Sequence, residues 1–144
     1  MKLLHIGCGR KRFEGFINTD KSEMDISKTW PYTDDSIDGI VSMAVFQCLT
    51  WKELIVAFSE SHRVLKKGGV MRMGVHLVET NYPDLYLYGD NINLFSLDLL
   101  RNVLVDRIGY SNIALYGANE SEMPELSKLD NRLGKGISYI EVVK

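Results

Sequence analysis

Residues 3–20 hold the densest chemistry of the chain. Leu3-Leu4-His5-Ile6 is a short apolar run that ends in Gly7-Cys8-Gly9. A second run, Gly15-Phe16-Ile17-Asn18-Thr19, ends in Asp20. Two strands joined through a glycine turn would put Asp20 beside that turn. Open α/β sheets grip the ribose of a nucleoside cofactor in this way. Glycine has no Cβ to hold the backbone off a ligand, and a carboxylate can accept from two neighbouring hydroxyls. The competing readings are an ordinary tight turn and a solvated carboxylate at a strand end.

A second candidate stands further along. His76 follows Val70–Val75, at the carboxyl end of an expected strand, where ligands collect in open α/β sheets. It is the candidate general base. Tyr82, Tyr86 and Tyr88 could wall a substrate pocket or pack over the sheet edge. His5 reads as a satisfied, half-buried histidine and His62 as a solvated one. Gln47 and Cys48 read as the start of a helix. Arg10-Lys11-Arg12 is either a solvated loop or a contact to a ligand carboxylate. Cys8 and Cys48 show no metal-ligand spacing, so no metal is expected, and a reduced, cytoplasmic setting fits them.

The elements that must position these residues follow from the pattern. Strands are expected at 2–6, 16–19, 37–45, 70–75, 113–116 and 137–143, with a vestigial one at Asp25-Ile26. Only Arg10 to Gly15 separate Gly9 from Phe16, too few for the usual crossover helix. Thr50-Trp51-Lys52-Glu53 is a capping box. The helix after it places Trp51, Leu54, Ile55, Phe58 and Leu65 on one stripe and should stop at Lys66-Lys67-Gly68-Gly69. Ser96 can cap a second helix with Leu97, Leu100, Leu104 and Ile108 inside, ending at Gly109. The long polar segment 117–136 suggests a functional or mobile loop. The order argues a mostly parallel sheet.

Composition sets the bounds. With 144 residues, 45% hydrophobic and 25% charged, residues 1–144 read as one globular domain. A net charge of -2 provides no global field for nucleic acid or membrane. No apolar run approaches the ~20 residues of a membrane span. The N-terminus enters a strand directly, so no signal peptide is expected.

At this point the residues show a family likeness. The chain resembles class I S-adenosylmethionine-dependent methyltransferases, in the group with a short first loop. The matching pieces are Ile6-Gly7-Cys8-Gly9, Gly15-Phe16-Ile17-Asn18-Thr19-Asp20, Asp25-Ile26, Ser36-Ile37-Asp38-Gly39-Ile40 and the run Glu60 to Gly69, in the family's order. The resemblance implies a Rossmann-like open, mostly parallel twisted sheet with an antiparallel final strand, trimmed here of some crossover helices. It also implies roles. Gly7 and Gly9 would line the methionine part of the cofactor, Asp20 would hold the ribose, and Asp25 and Ile26 would flank the adenine. Ser42, Met43 and Ala44 would sit under the sulfonium. His5, Cys8 and Lys21 complete the candidate cofactor set, and His76 stands as the catalytic candidate.

There are departures. His5 replaces a frequent acid, and the third glycine of the longer motif is missing. Relatives often show His-Val-Leu-Glu-His where this chain has Ala44-Val45-Phe46-Gln47-Cys48. A Pro-Asp pair common after the next strand is here His76-Leu77. The expected activity is methyl transfer from S-adenosyl-L-methionine to a small-molecule acceptor. The alternative is a catalytically degenerate cofactor-binding domain acting as a partner or regulatory subunit. A second copy of so trimmed a domain could complete its pocket.

Overall fold

Short runs of β-branched and aliphatic residues, broken by glycine and polar turns, form β1 (Leu3–Ile6), β2 (Phe16–Thr19), β3 (Ile37–Met43), β4 (Leu65–Val75), β5 (Asn112–Tyr116) and β6 (Ser138–Val143). The computed structural model describes residues 1–80, 92–130 and 136–144. Among them the strands make one 6-stranded sheet in the order β2-β1-β3-β4-β6-β5. β2, β1, β3 and β4 run parallel, and β6 is antiparallel to both β4 and β5.

The crossover from β1 to β2 is made by residues 7–15 without a helix. Asn18 pins that loop. Its Oδ1 accepts from the Phe13 N–H at 3.0 Å, and its Nδ2 donates to the Phe13 carbonyl at 2.8 Å. Arg12 closes the loop onto the turn after β2, donating to the Asn18 carbonyl and to the Glu23 carboxylate. The basic cluster therefore serves the loop through Arg12, while Arg10 and Lys11 stay exposed. Asp25 and Ile26 form no strand. The Asp25 carboxylate accepts from the N–H and hydroxyl of Ser27, and that local closure replaces strand pairing.

Helix α1 (Trp51–Val64) begins at the expected capping box: the Thr50 hydroxyl accepts from the Glu53 N–H, and the Glu53 carboxylate accepts from the Thr50 N–H. Its buried face is Leu54, Ala57, Phe58, Ser61 and Val64. Trp51 and Ile55, expected on that face, are 40% and 39% exposed. The helix also ends earlier than expected. Leu65 already pairs with Ile37 in the sheet, so Lys66 to Gly69 form a bulged stretch of β4 rather than a helix stop. The next helical segment is α2 (Leu97–Arg101), which continues as a π-helical stretch over Asn102–Ile108. Ser96 caps it, and Gly109 ends it in the left-handed conformation, as expected.

Side chains alternate across each strand, which gives two layers. One face carries Leu4, Ile6, Ile40, Met71, Met73 and Ile140 against Phe46, Phe58, Leu100 and Leu104. The other carries Leu3, Val41, Met43, Val70 and Tyr139 against Leu126 and Leu129. Leu126 belongs to the one-turn helix α3 (Pro124–Ser127). Within the segment 117–136, expected as a functional or mobile loop, Met123, Leu126 and Leu129 pack on the second face.

Candidate functional site

The carboxyl ends of the parallel strands meet at one edge of the sheet. The register aligns Ile6 with Thr19 and with Ser42, and Ser42 with Met73. Gly7, Asp20, Ala44 and His76 follow directly or within a few residues. With strands about 5 Å apart, the β2 and β4 ends of this row are about 15 Å apart. That is room for an extended nucleoside with a tail.

Gly7 and Gly9 both take positive φ, +65° and +54°. A Cβ on Gly7 would lie 2.3 Å from Cγ2 of Val45, so backbone conformation and packing both demand glycine there. Between them Cys8 is buried, its N–H donating to the Thr19 carbonyl at 3.0 Å. This bond seats the glycine turn against the end of β2, beside Asp20. The Asp20 backbone is fixed by the following turn, through its carbonyl to the N–H groups of Glu23 and Met24. Its half-buried carboxylate accepts no hydrogen bond from any described residue. It is a placed acceptor with open lone pairs.

Four other candidates are differently disposed. Lys21 is exposed. The Asp25 carboxyl is held at about 2 by the hydrogen bonds from the Ser27 side chain and backbone, with Lys28 adding an ion pair at 3.1 Å. Ile26 packs against the core, and its carbonyl accepts from the buried Trp30 indole at 3.2 Å. His5 is turned away from the edge. Its ring lies buried with Phe13 and Phe16 edge-on, and its Nδ1 meets Asn18 Oδ1 at 3.0 Å.

Around the end of β3, Ser42 is buried and its hydroxyl meets no partner among the described residues. Met43 is buried on the second face, and its sulfur would lie 2.5 Å from a Cβ on Gly74. Ala44 takes φ +58°, a left-handed conformation that a residue with a Cβ adopts only against a penalty. Its N–H donates to the Gly74 carbonyl at 2.8 Å, and that bond holds the turn. His76, at the end of β4, is half-buried, with Nδ1 3.1 Å from the Gly136 carbonyl. A carbonyl only accepts, so Nδ1–H donates and the neutral ring keeps its lone pair on Nε2. Tyr82, Tyr86 and Tyr88 lie outside the described residues.

Sequence reasoning missed Gln47. It lies not in α1 but in the preceding 3-10 turn, Phe46–Cys48. It is fully buried, and both polar atoms of its carboxamide are without a partner among the described residues. The available signal was a lone amide just past the end of a central strand, next to Phe46.

Comparison with known proteins is consistent with this geometry. Residues 6–73 match the family described as methyltransferase domain. A structure of an S-adenosylmethionine-dependent methyltransferase from Archaeoglobus fulgidus superposes with a TM-score of 0.68 at 15% identity, covering 99% of this chain and 86% of that one. A possible histamine N-methyltransferase from Thermotoga maritima gives 0.61 at 17% identity, covering 99% and 82%. A Haloferax volcanii chain from a complex between the Trm112 methyltransferase activator and a methyltransferase described as unproven gives 0.64 at 14%, covering 99% and 81%. A search of curated proteins gives no match. No helix among the described residues is long and apolar enough to cross a membrane. S-adenosylmethionine is the cofactor expected of this family and fold. Residues 6–73 thus resemble a methyltransferase domain, and the sheet has the Rossmann-like fold of the solved methyltransferase structures to which the chain is similar.

Proposed function

We propose that this chain transfers the methyl group of S-adenosylmethionine to a small-molecule acceptor. The observation that carries the reading is Asp20, whose backbone is fixed and whose carboxylate has no hydrogen-bond partner among the described residues, beside a glycine turn that excludes a Cβ. Asp20 would hold the ribose, and Gly7, Cys8 and Gly9 would line the chain beyond it. Asp25 and Ile26 would face the base, while Ser42, Met43 and Ala44 would lie under the sulfur, with Lys21 at the rim. His5 supports the turn from behind through Asn18. The cofactor supplies an activated methyl on a sulfonium. The protein's own work is alignment of acceptor and methyl carbon. A hydroxyl or ammonium acceptor must also lose a proton, and Nε2 of His76 is the group that would take it. The net charge of -2 supports a small acceptor rather than a nucleic acid, and we place the protein in the cytoplasm.

Titration calorimetry with S-adenosylmethionine, S-adenosylhomocysteine and NAD tests the reading. The first two should bind and NAD should not. Asp20→Ala leaves two ribose hydroxyls without their acceptor and should weaken S-adenosylmethionine by about 1–3 kcal/mol. No binding by the native chain at millimolar ligand overturns the cofactor assignment. Unchanged affinity in the variant removes Asp20 from the site.

A further inference from the structure

The turn after the central strand carries a buried polar group that no described residue pairs with. Gln47 is 0% exposed, and neither Nε2 nor Oε1 of its carboxamide has a hydrogen-bond partner among the described residues. A buried amide left unpaired is a standing cost to the folded chain. The backbone around it is nonetheless well fixed. The Gln47 carbonyl accepts the N–H groups of Ile92 and Asn93 at 2.8 and 3.0 Å, and the Cys48 N–H donates to the Val45 carbonyl at 3.0 Å. The Asn93 side chain donates to the Leu49 carbonyl, and Phe46 packs on Phe58 with ring centroids 5.0 Å apart. The backbone that carries the amide is therefore fixed, while the amide itself has no partner among the described residues. The Ser42 hydroxyl, near the end of the same strand, shares that condition.

Position and chemistry together point to an occupant. Asp20 ends β2, and the Gln47 turn follows β3, two strand places away and about 10 Å along the edge. A nucleoside whose sugar sits at Asp20 and whose tail runs across the glycine turn brings that tail to the end of β3. The tail of S-adenosylmethionine is an amino acid, a carboxylate and an ammonium on one carbon with no net charge. The carboxylate needs a donor and the ammonium an acceptor, and a carboxamide offers one of each. A charged side chain would satisfy only one half and leave its own charge buried. From Gly39 to Trp51 the chain has no charged residue.

We propose that the Gln47 carboxamide holds the amino-acid end of the cofactor, Nε2–H donating to the carboxylate and Oε1 accepting from the ammonium. The proposal rests on the cofactor reading above and makes Gln47 a residue that discriminates the full cofactor from its tail-less nucleoside.

The test uses two ligands that differ in the tail. S-adenosylhomocysteine carries the amino-acid end, whereas 5′-methylthioadenosine has the same nucleoside and sulfur without it. Calorimetry is run on the native chain and on Gln47→Leu. The variant should lose about tenfold in affinity for S-adenosylhomocysteine, while 5′-methylthioadenosine changes by less than about twofold. Its ligand-free melting temperature should equal or exceed the native one, because an unpaired amide has been removed. Equal losses on both ligands, or no loss on either, overturn the assignment. If Gln47→Leu does not fold, Gln47→Glu preserves size and is read by the same ratio, since its carboxylate repels that of the tail. If the native chain binds neither ligand, the cofactor reading falls and this proposal with it. Binding of both without discrimination in either variant leaves that reading standing and removes Gln47 alone.

Discussion

The residues at the carboxyl edge divide by how much of their placement is encoded locally. Gly7 and Asp20 were legible because each answers a local demand. Gly7 must adopt positive φ where a Cβ would strike Val45, and Asp20 closes an apolar run at a strand end. Gln47 was not legible. Its burial depends on the direction the chain takes after β3, and that direction is set by Ala44 in a left-handed conformation with no glycine to announce it. His5, read as a satisfied histidine, is buried and partnered: strand alternation sends its ring to the other face, where Asn18 and two phenylalanines receive it. His76 is the residue whose chemistry can be tested most directly. Its Nδ1 is committed to the Gly136 carbonyl, so Nε2 carries the lone pair of the neutral ring. For a hydroxyl acceptor, His76→Ala should lower kcat by about 10²-fold and leave S-adenosylmethionine affinity nearly unchanged. A variant that turns over as fast as the native chain would leave alignment as the sole contribution of the protein.

At the scale of elements, α1 shows what periodicity can and cannot supply. The capping box fixed the start of the helix because both of its bonds are local. The stripe was displaced. Burial follows Leu54, Ala57, Phe58, Ser61 and Val64, and it admits a small alanine and a serine that a hydropathy pattern passes over. Ser61 is accepted into the core because its hydroxyl pairs with the buried Tyr110 hydroxyl at 2.8 Å. Trp51 and Ile55 instead line a groove with Leu99 and Val103. The end of the helix was misplaced because burial of Leu65 in the sheet outweighs the weak helix-stop signal of Lys-Lys-Gly-Gly. Two substitutions separate the expected stripe from the observed one. Phe58→Ala, fully buried against Phe46, should cost about 3–5 kcal/mol in urea unfolding. Ile55→Ala should cost less than about 1 kcal/mol, because partial exposure removes most of the transfer and cavity terms. Equal losses would restore the expected face.

For the whole molecule, the sheet is covered unequally, and electrostatics secures the thinner side. Among the described residues, the face opposite α1 has α3 and loops over it, a covering that periodicity could not reveal because residues 117–130 carry no long apolar pattern. Charges also anchor the rim. Arg63 donates to Glu60 and Asp34 and to the carbonyls of Trp30 and Tyr32, which ties the 30–34 loop to α1. The Arg63 side chain holds the Glu60 carboxyl below its usual range, and the Ser27 hydrogen bonds hold Asp25 at about 2. Both depressed groups stabilise the fold fully above the ordinary carboxylate range and lose that effect as pH falls through their lowered values, which for Asp25 is about 2. The melting temperature should therefore fall on acidification from pH 5 to pH 2.5, and less steeply in Glu60→Gln; identical slopes would discount the pair. The stronger constraint is internal. Arg72 is fully buried on β4 and donates to Asp130 through Nε at 3.0 Å and Nη2 at 2.5 Å. It also donates to Glu141 through Nη1 at 2.7 Å and to the Gly117 carbonyl at 3.2 Å, and it lies over the Tyr139 ring. Asp130 further accepts the Asn119 N–H, and Glu141 the Glu122 N–H and the Ser121 hydroxyl, so the cluster fastens the whole 117–130 cover to β4 and β6. One cation serves two carboxylates, and its removal strands both in the core. Arg72→Met should destabilise by about 3–5 kcal/mol, and adding Asp130→Asn with Glu141→Gln should recover a large part of that loss, because no buried charge is then left uncompensated. Hydrogen exchange should quicken first at Leu126–Asp130 in the single variant, while β1 and β3 stay protected. A loss below about 1 kcal/mol in Arg72→Met, or protection lost evenly across the sheet, would mean that apolar contacts through Leu126 and Leu129 hold the cover without the charges.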